Sequence, residues 1–191
     1  NIYIGGTGKT PLVNNLANHF KKKFKTLIIK KNYTSHLDEK RLLELKHKVI
    51  FEKTRELSIT KAENERAEIL IFDDGLQEKR INYHLKIVCF NSLKLDGNGL
   101  IIPAGPLRER LNNIKNYDVV LINGDHNKDS KNFINKITKI NPNIQIFLGK
   151  YVPKNYSKLK KKKFIVFSGI GNPHTFSDTL KSLKIKFYEY E

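Results

Sequence analysis

The sequence contains one cysteine, no methionine and no tryptophan among its 191 residues. The lone Cys89 excludes an intrachain disulfide framework and a zinc site built from cysteines, so a reducing, cytoplasmic setting is expected. Apolar runs are short, and none approaches the roughly 20 residues of a membrane-spanning helix. Acidic residues are scarce: 19 Asp+Glu stand against 36 Lys+Arg, for a formal net charge of +17. Arginine is also sparse, with only Arg41, Arg55, Arg66, Arg80, Arg108 and Arg110, so lysine carries most of the positive charge. Such an excess favours anionic partners, whether nucleic acid, phosphorylated metabolites or an acidic membrane face. A general bias towards Lys, Asn and Ile accounts for the same charge without a nucleic-acid role. A charge-driven nucleic-acid binder would show clustered arginines with exposed aromatics, and the sequence has no such cluster.

What is present suits a folded domain. Hydrophobic residues make up 39% and aromatics 10%, enough to bury a core in one domain or one and a half. The missing initiator Met, with strand-like residues at each end, predicts a chain cut at both ends. Apolar runs alternate with helical periodicity, which predicts an α/β fold with a mostly parallel sheet flanked by helices. Strands are expected at 1–4, 26–29, 49–51, 69–72, 85–90, 119–122, 144–148, 164–167 and from 185. Helices are expected at 10–23, 38–46, 58–66 and 130–140, with another ending at Leu183. In the first of these, Leu12, Val13, Leu16, Ala17 and Phe20 share one face. The stretch 91–107, with Gly97, Gly99, Pro103, Gly105 and Pro106, reads as an irregular loop of functional length. Residues 1–148 are expected to form the main domain and 149–191 the start of a smaller α/β lobe.

Gly5-Gly6-Thr7-Gly8-Lys9-Thr10 lies between a strand and an amphipathic helix, the setting of a phosphate-binding loop. Glycines let backbone N–H groups converge on phosphate oxygens, and the helix N-terminus adds partial positive charge. Lys9 would reach the terminal phosphates of ATP, and Thr10 would offer its hydroxyl to Mg²⁺. The usual first glycine of the pattern is replaced by Tyr3. A second element is Ile69-Leu70-Ile71-Phe72-Asp73-Asp74, an apolar strand that delivers carboxylates to the carboxyl edge of a sheet. That is where a P-loop enzyme needs its metal-side acid. The loop also resembles that of the partitioning and division-site ATPases. Those carry a second lysine near the loop's start, and Asn1–Ile4 contain none.

Two further stretches narrow the class: Asp73-Asp74-Gly75-Leu76-Gln77, and Gly97-Asn98-Gly99-Leu100-Ile101-Ile102-Pro103-Ala104-Gly105-Pro106-Leu107-Arg108-Glu109. With the phosphate loop and Pro11, Asn123-Gly124 and Gly169-Ile170-Gly171-Asn172-Pro173, they resemble the tetraacyldisaccharide 4'-kinase family of lipid A synthesis. The motifs occur in the family's order across nearly the whole chain. The resemblance implies a P-loop NTPase-like fold and an ATP- and Mg²⁺-dependent kinase. Its acceptor would be the 4'-hydroxyl of a lipid disaccharide 1-phosphate at the cytoplasmic face of the Gram-negative inner membrane. It further implies peripheral contact with that anionic surface and no nucleic-acid partner.

Position by position, the resemblance assigns the nucleotide to Gly5, Gly6, Thr7, Gly8, Lys9 and Thr10. It assigns the metal to Thr10, Asp73, Asp74 and Glu109, and places Gln77 after the acidic strand end. Lys9 and Arg108 would neutralise charge on the transferring group. Asp38, in Leu37-Asp38-Glu39, would activate the acceptor hydroxyl, although Leu37 stands where the family has glycine. An N-cap is the competing role for Asp38. The histidine expected to pair with it belongs to a Phe-Pro-Asp-His type stretch beyond Glu191. None of His19, His36, His47, His84, His126 and His174 sits in that context, and no role is assigned to them.

Overall fold

A computed structural model describes residues 2–30, 41, 43–152, 156–159, 162–168 and 173–189. Asp38, the loop expected at 31–37 and Gly169–Asn172 lie outside the described residues. Parallel strands must be joined by crossovers of about a dozen or more residues, and the apolar runs of this chain are spaced accordingly. Every strand ladder among the described residues is parallel. The chain divides into two compact units, Asn1–Gly149 and Lys150–Glu191.

The first unit holds two three-stranded sheets. β1 (Thr26–Lys30), β2 (Val49–Ile50) and β3 (Ile69–Asp73) form one, in the order β2-β1-β3. β4 (Ile87–Asn91), β5 (Val119–Asn123) and β6 (Gln145–Gly149) form the other, in the order β4-β5-β6. The mostly parallel sheet expected from sequence is thus present as two separate ladders. The strand expected at 1–4 is reduced to one antiparallel bridge, Tyr3 with Leu107. Its flanking hydrogen bonds run from the Ile4 N–H to the Pro106 carbonyl at 3.0 Å and from the Arg108 N–H to the Ile2 carbonyl at 2.6 Å. Pro103 and Pro106 have no N–H, so this segment cannot extend a regular ladder.

α1 (Lys9–Phe20) buries Val13 and Ala17 in a cluster with Ile28 and Leu43. Leu12, Leu16 and Phe20 are only half-buried. α2 (Arg55–Asn64) starts three residues before the periodicity predicts, because the Thr54 hydroxyl caps it by accepting from the Leu57 N–H. α3 (Lys128–Ile140) is set by a capping box of Asn127 and Ser130 and buries Phe133 and Ile137. A 3₁₀ turn at Leu111–Asn116, unforeseen in the sequence, buries Leu111 and Ile114.

The largest core joins Ile2, Tyr3, Val88, Phe90, Leu107, Ile114, Val120, Ile122 and Phe133. The segment before the phosphate loop therefore packs with the β4–β6 sheet, whereas the helix after it packs on β1 and β3. The loop lies at the seam between the two sheets. Cys89, buried in β4, has its thiol pushed up to about 12 by that burial, which removes it as a nucleophile.

The second unit contains β7 (Lys163–Val166) and β8 (Lys186–Glu189), paired in parallel across α4 (Pro173–Ser182). Leu180 and Ile185 are its buried apolar residues among those described. A 3₁₀ turn at Tyr156–Leu159 precedes β7.

Phe90 and Phe133 meet edge to face with ring centroids 4.9 Å apart. Phe133→Ala should cost about 3–5 kcal/mol of unfolding free energy, measured by urea denaturation. A loss below about 1 kcal/mol would mean that α3 does not hold the β4–β6 sheet as described.

Candidate active site

Four successive residues, Gly5 to Gly8, turn the chain from the Ile2–Tyr3 core into α1. Gly5, Gly6 and Gly8 adopt φ values of 50°, 64° and 87°, a left-handed region that side chains rarely enter. Gly5 and Gly6 are exposed and a Cβ on either would meet nothing within 4 Å, so backbone conformation, not crowding, calls for glycine there. The N–H groups of the first turn of α1 have no partners within the helix, and they open at the same turn as Lys9 and Thr10. Thr7 is buried and its hydroxyl finds no hydrogen-bond partner among the described residues.

Asp74 stands at the centre of the charged cluster. Its Oδ2 accepts a 2.7 Å hydrogen bond from Arg108 Nη1, and its Oδ1 lies 3.6 Å from Lys9 Nζ. Burial works against ionisation of this carboxyl, but the Arg108 hydrogen bond and the Lys9 charge outweigh it and lower its pKa to about 2. Since the ordinary value is 3.8, the cluster contributes stability above that pH. The contribution is lost as the pH falls through the folded-state value. Lys9, Asp74 and Arg108, three of the residues singled out from sequence, are therefore in mutual contact.

Asp73 points elsewhere. It is buried and pairs with Lys30 Nζ at 2.8 Å. Lys30 ends β1 directly opposite Asp73 in the parallel register. Glu109 faces the 3₁₀ turn, accepting 2.5 Å from Tyr117 Oη and 2.7 Å from Asn113 Nδ2. Burial and the Glu109 carboxylate push the Tyr117 phenol well up, so it remains a donor. Gln77 is exposed in the turn after β3. Asp38 lies outside the described residues. His47, given no role from sequence, ties the end of its helical turn to Asn14 of α1 at 2.8 Å.

Two groups that hold the acidic turn were not singled out from sequence. Arg55 Nη2 donates to the Asp74 carbonyl at 2.5 Å and Nη1 to the Gly75 carbonyl at 2.9 Å. Tyr83 Oη donates to the same Gly75 carbonyl at 2.8 Å. These bonds pin Asp74 in a left-handed conformation, φ 60°, which aspartate tolerates better than most residues. A Cβ on Gly75 would come within 2.8 Å of Phe72 Cβ. Only the tertiary fold brings Arg55 and Tyr83 to this turn. Lys30 had a fainter signal, as a cation closing the apolar run Leu27-Ile28-Ile29.

The model of the family described as Tetraacyldisaccharide-1-P 4'-kinase matches residues 37–191. The chain belongs to this family. It is 46% identical over 190 residues to the tetraacyldisaccharide 4'-kinase of Pelagibacter ubique (strain HTCC1062), covering 97% of this chain and 60% of that protein. Against the tetraacyldisaccharide 4'-kinase of Rickettsia bellii (strain OSU 85-389) it is 32% identical, covering 100% of this chain and 63% of that protein. The chain thus spans about three fifths of the length of these curated relatives. The family match begins after the phosphate loop, but the Rickettsia comparison includes it.

Among solved structures, the hydrogenase maturation factor HypB from Helicobacter pylori, in complex with nickel, superposes with a TM-score of 0.56 at 18% identity. It covers 78% of this chain and 76% of that one. The signal recognition particle 54 kDa protein from Aeropyrum pernix K1, in complex with GDP, gives 0.54 at 15% identity, covering 78% and 40%. These likenesses concern the fold, which is that of the α/β P-loop proteins. The kinase-family chain therefore carries its charged cluster on a P-loop scaffold.

If the acidic turn is braced as described, Tyr83→Phe should lower stability by about 1 kcal/mol, the net worth of one neutral hydrogen bond. Arg55→Ala should cost clearly more, since it removes two charge-assisted bonds. Chemical denaturation checks both. Equal costs would mean that the guanidinium fork does not grip the turn.

Proposed function

We propose that this chain is the nucleotide-binding part of an enzyme that transfers the γ-phosphoryl group of ATP to the 4'-hydroxyl of a tetraacyldisaccharide 1-phosphate. The observation that carries the reading is the contact of Lys9 and Arg108 with one carboxylate, Asp74, beside the glycine loop that opens α1. These are the two cations that a triphosphate would compete for. Membership of the kinase family supports the choice of acceptor.

In this reading the backbone N–H groups of Gly5 to Thr10 and the Lys9 ammonium bind the phosphate chain, and Arg108 offsets charge on the transferring group. The acceptor oxygen bonds to the γ-phosphorus as the bond from that phosphorus to the β–γ bridging oxygen breaks. ADP departs with the electron pair. The hydroxyl proton goes to a carboxylate, and Asp38 is the residue proposed for that step on the strength of the family resemblance.

Mg²⁺ fits the donor chemistry. The Thr10 hydroxyl, Asp73 and Asp74 are hard oxygen donors, and Mg²⁺ is usually held by one or two carboxylates together with substrate phosphates. No group of three or more acidic, His or Cys side chains placed to hold a metal occurs among the described residues, which suits an ion that arrives with the nucleotide. Asp74, adjacent to Lys9, is the better placed carboxylate, because Asp73 is engaged by Lys30. Glu109 would then act on the site through the 3₁₀ turn that it braces. When bound, the ion neutralises charge on the phosphates.

The proposed setting is the cytoplasmic face of the inner membrane of a Gram-negative cell, with the chain bound peripherally. The acylated acceptor and the +17 charge support this. No helix among the described residues is long and apolar enough to cross a membrane. No nucleic-acid partner is part of this reading.

Calorimetry with ATP and Mg²⁺ tests the site. Lys9→Ala should weaken binding by at least about tenfold, the loss expected for a charge-assisted phosphate contact. Unchanged affinity would contradict the assignment. Asp74→Asn makes a sharper case. It should remove the Mg²⁺-dependent gain in affinity yet leave metal-free ATP binding equal or stronger, since it releases Lys9 and Arg108. Equal losses with and without Mg²⁺ would make Asp74 a structural residue only. Labelled γ-phosphate should pass to the disaccharide 1-phosphate and not to an analogue lacking the 4'-hydroxyl; transfer to the analogue would overturn the acceptor assignment.

A further inference from the structure

The end of β5 makes a contact with the phosphate loop that none of the roles above uses. Asn123 is the last residue of β5 and its side-chain Nδ2 donates a 2.8 Å hydrogen bond to the Thr7 carbonyl, 116 residues earlier in the chain. A carbonyl can only accept, so the NH₂ end of the amide must face the loop. The Asn123 backbone is held independently: its carbonyl accepts from the Ser92 N–H at 2.8 Å, and its strand lies between β4 and β6. A rigid strand end thus aims one donor at one loop carbonyl.

The opposite side of the same amide explains a glycine. Gly149 ends β6 and pairs with Asn123 in the parallel register. Its φ lies outside the left-handed region, so its backbone does not demand glycine. A Cβ there would lie 2.6 Å from Asn123 Oδ1, with Leu121 Cδ1 next at 3.3 Å. The space that Gly149 leaves is the space the Asn123 amide occupies.

The consequence for the loop follows from peptide geometry. A trans peptide is planar, and its C=O and the following N–H point in opposite directions. Holding the Thr7 carbonyl against β5 therefore turns the Gly8 N–H away from β5. Gly8, at φ 87° and ψ 20°, caps α1 without any side-chain help, so little else within the loop fixes this peptide plane. We infer that Asn123, with Gly149 making room for it, is a positioning residue that sets the Thr7–Gly8 peptide for binding polyphosphate. The inference rests on the nucleotide reading above and extends it to a residue that touches no phosphate itself.

The test is calorimetry of the 191-residue chain with two probes, ATP and inorganic tripolyphosphate, the second of which has no base or ribose. Asn123→Ala should weaken both by a similar factor, about five- to tenfold, as expected for one lost neutral hydrogen bond. Gly149→Ala alone should also weaken both, by displacing the amide. In the Asn123→Ala background the same Gly149→Ala change should have no effect, because the group it collides with is gone. Thermal melts of each variant separate a loss of fold from a loss of loop geometry. Unchanged tripolyphosphate affinity in a folded Asn123→Ala chain would overturn the inference alone, as would a Gly149→Ala penalty that is the same in both backgrounds. If the unaltered chain binds neither probe, the nucleotide reading falls and takes the inference with it.

Discussion

A single carboxylate, that of Asp74, neutralises two cations that come from distant parts of the chain. Lys9 is supplied by the first turn of α1 and Arg108 by the segment that follows the long glycine- and proline-rich loop. Desolvating two like charges side by side is costly unless an anion lies between them. Asp74 meets that requirement in the protein alone, and a polyphosphate can meet it in its place. The same electrostatics that make the cluster stable therefore make it responsive to an anionic ligand. A site built from Lys9 and Arg108 without such a carboxylate would carry uncompensated repulsion in the free protein.

The position of this cluster follows from how the two sheets of the first unit share the phosphate loop. Residues 2 and 3 are buried with β4, β5 and the Leu107 segment, while α1 is buried against β1 and β3. The loop is consequently held at both ends by different cores. β3 brings Asp73 and Asp74 to the same edge, and β5 brings Asn123. Each acidic residue has its own counter-ion, Lys30 for Asp73 and the Lys9–Arg108 pair for Asp74. The two adjacent carboxylates are thereby directed to different cations.

Much of this arrangement could be read in the residues. The glycine loop, the apolar strand ending in Asp73-Asp74, and Arg108 each carry a local pattern, and the structure places Lys9, Asp74 and Arg108 together. Strand positions were legible because parallel, buried strands are nearly continuous apolar runs. The end-residue shifts at β4 and β6 and the early start of α2 arise from caps and pairing, which periodicity does not encode. The strand expected at 1–4 failed to form a ladder for a reason visible only in its partner, where Pro103 and Pro106 precede the pairing residue Leu107. Arg55 and Tyr83 were not legible, because neither sits in a pattern of its own and each meets the acidic turn only through the fold. Asn123 was legible as part of the Asn123-Gly124 motif, but its contact with the Thr7 carbonyl, 116 residues earlier, was not. Lys30 stands between these cases: a buried lysine at a strand end marks a partner without naming it.

The claim on which the account turns is that Asp74 is a half-buried, ionised counter-ion shared by Lys9 and Arg108. Its own titration tests this most directly, followed through the carboxyl carbon by NMR on the chain without nucleotide. The account predicts a midpoint near 2, well below the ordinary 3.8, and a rise towards the ordinary value when Arg108 is replaced by alanine. A midpoint at the ordinary value in the unaltered chain, or one indifferent to Arg108, would contradict it.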